Sequence, residues 1–532
     1  MAKPFRFLAP PLLLLLFASA AWGQAVLLYQ KDGAASGDQL GISVAGAGDA
    51  NEDGKADFLV GAYYADPGGR SGAGSAYLYS GANGSLLYQK DGVGTNNVLG
   101  GSVAGAGDVN GDGKADFIIG AYGAGVTSAG AAYVYSGTDG SQLYSKSGSP
   151  SDFLGLSAAS AGDVNGDGRT DFIIGAPLAD PGGLSAAGSA YIYSGMDGSL
   201  LYQKNGASSS NSLGNSVASG GDANGDGIAD FIIGAVGANF GSGSAYVYSG
   251  ADSSLLYQKS GAAVFNNLGI SVASAGDVNG DGRSDFIIGA NGADPGGLSN
   301  AGSAYVYSGA DGSLLYQKNG AAAGDSLGTS VASAGDVNGD GKADFIIGAH
   351  GADPGGRSQA GSAYLYSGAD GSLLSQINGA AVGDHLGNSV ASAGDVSGDG
   401  KADFIIGAHL ANPGGLADAG SAYVYGELPT GVPSDGQNRP NQFELSQNYP
   451  NPFNPTTTIR YFLFKRENVT LEIFNLLGER VKVLADNEQS AGEHAYTWDG
   501  MDEKGKILPS GIYFYRLTGK DFSEAKKMMF LK

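Results

Sequence analysis

The chain has 532 residues, 94 glycines, no cysteine and a formal net charge of −23. That length exceeds one ordinary core, and glycine at this frequency excludes a mainly helical protein, since each interior helical glycine costs about 1 kcal/mol relative to alanine. A hydrophobic share of 42% excludes disorder, and the acidity disfavours nucleic acid and anionic membranes as partners.

Residues 1–23 carry Lys3 and Arg6, then an apolar run to Phe17, then small residues up to Gly23. This is the pattern of a secretory signal peptide cut before Gln24. The run falls short of the roughly 20 residues a membrane helix needs, so no transmembrane segment is expected. Removing Lys3 and Arg6 takes the charge from −23 to −25. An exported chain without cysteine has no disulfides to pin its loops, and bound cations are the natural substitute.

Residues 24–426 repeat. The first Asp of a recurring acidic loop stands at Asp49, Asp108, Asp163, Asp222, Asp277, Asp336 and Asp395, a period of 55 or 59 residues. Each unit reads as four strands: a small-residue strand ("LGGSVAGAG"), the acidic loop, "ADFIIGA", a variable loop, "GSAYVYSG", a tight Gly-containing turn and "LLYQK". Four strands per unit is one propeller blade. The repeats begin with a lone outer strand, "AVLLYQKDG", and end at "GSAYVYGELPTG", which lacks one. Pairing Ala25–Lys31 beside Ser421–Tyr425 completes seven blades and closes the ring, whereas an open solenoid would leave two strand edges without caps.

The acidic loop follows D-x-N-x-D-G-x-x-D. Side-chain oxygens fall at positions 1, 3, 5 and 9, a backbone carbonyl is available at 7, and the glycine at 6 permits a sharp turn. Hard oxygens in this number suit calcium and not zinc. The predicted ligands are Asp49, Asn51, Asp53, the Lys55 carbonyl and Asp57 in unit one, and Asp108, Asn110, Asp112, Lys114 and Asp116 in unit two. Unit three supplies Asp163, Asn165, Asp167, Arg169 and Asp171; unit four Asp222, Asn224, Asp226, Ile228 and Asp230. Unit five supplies Asp277, Asn279, Asp281, Arg283 and Asp285; unit six Asp336, Asn338, Asp340, Lys342 and Asp344. In unit seven, Asp395, Ser397, Asp399, Lys401 and Asp403 form a weaker set because Ser397 replaces the Asn. Asp, Asn and Gly also suit turns unaided. Three carboxylates gathered in each of seven loops would nonetheless repel one another without a cation. Up to seven calcium ions are therefore expected.

These units resemble FG-GAP repeats, the family found in the integrin α-subunit propeller, with Leu40-Gly41 and its counterparts in place of Phe-Gly and "IIGAP" at residues 173–177. The resemblance implies calcium on the lower face and a ligand surface on the upper face. Residues following each "GA" sample that upper face. They include Tyr63 and Tyr122 in blades one and two and His350 and His409 in blades six and seven, which ring closure makes neighbours, with His385 in the connection between blades six and seven. Aromatic rings and imidazoles there predict a protein or glycan ligand. The Asp of the recurring "ADPGG" loop (Asp66, Asp180, Asp294, Asp353) reads as a turn former. No catalytic group breaks the repeat, so no enzyme activity is expected. The rival readings are a secreted carbohydrate-active enzyme using the His arc with Asp325 or Asp384, and a purely structural surface protein.

Residues 427–440 read as a linker. Residues 441–532 are charge-balanced, with 12 Lys or Arg against 12 Asp or Glu, and alternate as a small Ig-like β-sandwich. "NYPNPFNPTTTIRY", "FNLLGERV", "WDG" and "SGIYFYRL" make this tail similar to the type A sorting domain of the type IX secretion system. That resemblance implies export to the outer surface of a Gram-negative bacterium and contact with that machinery. The fold expected is all-β: a seven-bladed propeller closed by its N-terminal strand, then the sandwich. The function expected is a secreted or cell-surface calcium-binding adhesion module.

Overall fold

The computed structural model describes residues 25–426, 443–445, 448, 451, 453–463, 466–475, 480–490, 492–520 and 523–531. Residues 1–23, read from sequence as a signal peptide, residues 427–440, read as a linker, and parts of the "YPNPFNP" and "FNLLGERV" motifs lie outside the described residues. The chain divides at residues 430/431 into two compact units.

In the first unit every repeat forms a four-stranded antiparallel sheet. Blade two is representative, with an inner strand Ser102–Gly107, a second strand Asp116–Ala121, a third Ala131–Tyr135 and an outer strand Gln142–Ser147. The second strand, "DFIIGA", is buried at every position in all seven blades. It lies between two neighbouring blades and so reads as an unbroken apolar run. The outer strand alternates exposed and half-buried residues, as an edge with one wet face must.

Ring closure occurs as the sequence predicts. Val26–Asp32 pairs antiparallel with Ser421–Gly426, from Val26 opposite Gly426 to Asp32 opposite Ser421, and completes blade seven. The core is therefore seven cores, one between each pair of blades. Between blades one and two, Leu59 and Leu78 pack on Phe117 and Ile119. Between blades seven and one, Ile405 and Val424 pack on Phe58 and Val60, so the last seam is built like the others.

The second unit has two sheets. One orders Phe443–Leu445, Thr457–Leu463 and Gly492–Trp498; the other orders Arg480–Gln489, Glu467–Phe474, Gly511–Thr518 and Ser523–Phe530. Trp498, Tyr515 and Phe530 are fully buried within one core. This is the Ig-like sandwich expected from the alternation.

Candidate functional site

The acidic loops join inner and second strands, so all seven emerge on one face. Each is folded by its own carboxylates. In blade two, Asp108 Oδ1 accepts the Gly111 and Asp112 N–H groups at 2.6 and 3.1 Å, and its Oδ2 accepts Gly113 N–H at 3.0 Å. Asn110 Oδ1 accepts Asp112 N–H, and Asp112 Oδ1 accepts Lys114 N–H. Gly113 takes φ +88°, a left-handed conformation that admits glycine without steric cost.

The ninth position behaves differently. Asp116 is fully buried; its Oδ2 accepts Val109 N–H at 2.9 Å and its Oδ1 accepts Gly137 N–H, from the turn between third and outer strands, at 3.0 Å. Burial pushes this carboxyl up to about 6 although the backbone amides pull it down. The same holds at Asp57, Asp171, Asp230 and Asp285, and burial takes Asp344 and Asp403 to about 7. Asp403 is the exception in bonding, because its Oδ1 is buried without a partner.

Neighbouring loops are also tied together. The N–H at position 8 donates to the position 1 carbonyl of the preceding blade in all seven cases, at 3.0 to 3.5 Å, with Ala56 to Asp395 closing the circle. The position 7 side chain leans the same way: Lys55 Nζ bonds the Ser397 carbonyl at 2.6 Å, Lys342 Nζ bonds the Asn279 carbonyl at 3.1 Å, and Lys114 lies 3.6 Å from Glu52. The loops thus form one hydrogen-bonded belt, a feature their spacing could not reveal.

Does this donor set suit a calcium ion? The oxygens are hard and mostly anionic; Asp108 Oδ2, Asn110 Oδ1 and Asp112 Oδ1 each accept one amide and keep a second lone pair, while Asp108 Oδ1 spends both on Gly111 and Asp112. Among the described residues, no group of three or more His, Cys, Asp or Glu is drawn together as a metal centre. The chemistry of the loop fits calcium, while its side chains are turned onto its own backbone.

On the opposite face the structure brings three histidines together. The rings of His350 and His385 lie 5.4 Å apart and those of His385 and His409 5.7 Å apart. Burial, with the neighbouring imidazoles, lowers His350 and His409 to about 4, so both are neutral at physiological pH. His385 is lowered by burial against the opposing pull of Asp384 and Asp418. His350 Nδ1 sits 2.9 Å from Thr329 Oγ1, whereas His409 Nδ1 is buried without a partner. Tyr63 stacks on Tyr64 at 4.0 Å, and Tyr122 meets Phe153 edge-on at 6.0 Å. Burial raises the Tyr63 and Tyr122 hydroxyls, and Tyr64 is a second cause for both. Thr329 and Phe153 were not among the residues singled out from sequence; they flank the repeated Leu-Gly step, and that register is the signal that would have found them.

Asp325 and Asp384, the carboxylates a hydrolytic reading would need, accept backbone N–H groups of their own connections, from Ala321 and Ala322 and from Ala381. Asp66, Asp180, Asp294 and Asp353 close their loops in the same manner.

Fold and loops together define a seven-bladed β-propeller with an acidic loop in every blade. Residues 40–79, 99–135, 155–193, 268–307, 327–366 and 386–425 match the FG-GAP repeat, and residues 461–521 match the FlgD Ig-like domain. Among curated proteins, the chain is 32% identical over 212 residues to integrin alpha-V of Gallus gallus, covering 37% of this chain and 20% of that one. Integrin alpha-5 of Xenopus laevis is 31% identical over 205 residues, 35% and 19% of the two chains. The chain therefore spans about a fifth of the length of these relatives. A solved structure of PorZ, described as a bacterial surface component of the type-IX secretion system of Porphyromonas gingivalis, covers 92% of this chain and 59% of its own. With 13% identity and a TM-score of 0.38, that likeness carries no argument. No helix among the described residues is long and apolar enough to cross a membrane.

Proposed function

We propose that this protein is an exported, calcium-loaded propeller that works as a ligand-binding module in adhesion at a cell surface. The observation that carries the reading is the division of labour between faces: acidic loops gather on one, while His350, His385, His409, Tyr63 and Tyr122 gather on the other. Calcium would be held by positions 1, 3, 5, 7 and 9 of each loop, where it would supply positive charge to a cluster of carboxylates. The position 9 carboxylates would transmit that order to the third-to-outer-strand turns they already bind. Residues 1–23 would direct secretion, and the C-terminal unit would serve as a sorting address read by type IX secretion machinery. Enzyme activity is not part of the proposal.

Two measurements test it. Thermal unfolding with millimolar calcium, against the same chain in chelator, should show a rise in melting temperature and about seven bound ions, since extracellular calcium modules bind at roughly 0.1–1 mM. No shift and no bound ion would remove calcium from the reading. Cell-surface binding by the full chain should be lost when Tyr63, Tyr122, His350 and His409 are all changed to Ala; retained binding would move the ligand site elsewhere.

A further inference from the structure

Three positions in each blade surround the mouth of the propeller opposite the acidic loops: the residue after Gly-Ala, and those before and after Leu-Gly. The inner strands of successive blades pack against one another around the ring, and these positions cap their ends. None of the twenty-one residues involved is Asp, Glu, Lys or Arg, in a chain that carries 81 of them and a net charge of −23. The rim falls into two sectors. Over blades five to seven, Asn267 Nδ2 bonds Asn291 Oδ1 at 3.2 Å, Asn291 Nδ2 reaches Thr329 Oγ1 at 3.4 Å, and Thr329 meets His350, which leads on to His385 and His409. Over blades one to three the rim is aromatic, with the Tyr63–Tyr64 stack and the Tyr122–Phe153 pair. Tyr122 rests over Gly101, where an added Cβ would stand 2.7 Å from its ring.

Resting on the ligand-face reading above, we propose that this rim binds a neutral glycan, with sugar faces on the tyrosines and hydroxyls on the Asn, Thr and His sector. A charged ligand would lose its hydration here with no opposite charge on the rim to replace it. A purely apolar ligand would cover polar side chains without satisfying them. Sugars offer both an apolar C–H face, which aromatic rings accept, and hydroxyls that donate and accept as neutral imidazoles and amides do. Among the described residues the buried His409 Nδ1 has no partner, and buried polar groups seldom stay unpaired. The carboxylates next to the rim in sequence, Asp38, Asp152, Asp325 and Asp384, each accept backbone N–H groups of their own connections; Asp384 and Asp418 act on His385 from outside the rim.

The test is a printed array of neutral oligosaccharides, acidic oligosaccharides and peptides, probed with the full chain and with three variants. Retention of at least one neutral glycan is expected, insensitive to salt, and weakened at least tenfold by Tyr122→Ala or His409→Ala. Gly101→Leu should weaken it comparably by displacing the Tyr122 ring; Leu156 occupies the same register in blade three, so this variant should keep its melting temperature. A variant set that retains only acidic sugars or peptides, with binding still lost on substitution, would overturn the glycan assignment and leave the ligand face standing. Binding of any ligand that survives all three substitutions would sink both.

Discussion

At the scale of single residues, position 9 of the loop separates two roles that position 5 does not. Asp116 is a buried acceptor for three backbone amides from two segments, whereas Asp112 is exposed and bonds Lys114 N–H and the Thr138 hydroxyl. Asp116→Asn would turn an NH₂ toward one of those amides, and an unsatisfied buried donor costs about 1–3 kcal/mol. Urea unfolding should show that loss already in chelator, and a larger one with calcium, because the substitution also removes a ligand charge. Asp112→Ala should instead reduce mainly the calcium-dependent gain. The buried carboxyls also set a pH dependence. Their folded values of about 6 to 7 lie above the ordinary 3.8, so from pH 7 down to about 4 the folded state holds more protons than the unfolded one, and stability rises as pH falls. His350 and His409, at about 4 against an ordinary 6.5, act with the opposite sign between those values. Seven carboxyls outweigh two imidazoles. In chelator the melting temperature should rise between pH 7.5 and 5. In excess calcium it should fall over that range, because protonation competes with ligation.

At the scale of elements, the outer strand of six of the seven blades is fastened to the next blade by a Tyr and a Lys. Lys146 Nζ bonds the Gly198 carbonyl and stands 4.4 Å over the Tyr193 ring, and five other lysines repeat the contact. Blade six has Ser375 and Ile377 in those places. The cause lies in the closure. Blade seven takes its outer strand from the N-terminus, so no turn joins its third and outer strands, and the carbonyl that a lysine would seek is absent by topology. The same missing turn explains why Asp403 alone keeps an unpartnered Oδ1, since its six counterparts spend theirs on that turn's backbone N–H. Lys146→Ile should cost about 1–2 kcal/mol through the lost hydrogen bond and cation–π contact. Ile377→Lys should give no matching gain, since Ile377 packs apolar near Tyr425. A gain as large as the Lys146 loss in urea unfolding would refute this account. Strands, blade count and closure were legible because alternation, glycine turns and the period are local signals. The belt between loops and the Asn291–Thr329 link were not, because those bonds span two blades and no spacing within one unit encodes them; Asn267–Asn291 and Thr329–His350 lie within single units but pair positions where the repeat varies.

At the scale of the whole molecule, closure by Val26–Asp32 converts seven similar sheets into a ring without an end. The strand contributes backbone pairing with Ser421–Gly426, and its Tyr29 and Lys31 fasten blade seven to blade one through the Gly81 and Gly84 carbonyls. Removing residues 25–32 would therefore strip the outer edge of blade seven and the fastening of the seam it shares with blade one. An unpaired edge is a template for another chain. The truncated protein should melt at a lower temperature and self-associate, with light scattering on a sizing column reporting dimers or larger species. Because the lost strand needs only backbone pairing and a short side-chain register, a synthetic peptide of sequence AVLLYQKD should restore both the monomer and part of the melting temperature. Rescue should be weaker for the peptide with Tyr29 and Lys31 changed to Ala, which keeps the pairing and loses the fastening. A truncated chain that stays monomeric and melts unchanged would mean that inter-blade packing alone holds the ring, and that the N-terminal strand covers an edge which stability does not require to be covered.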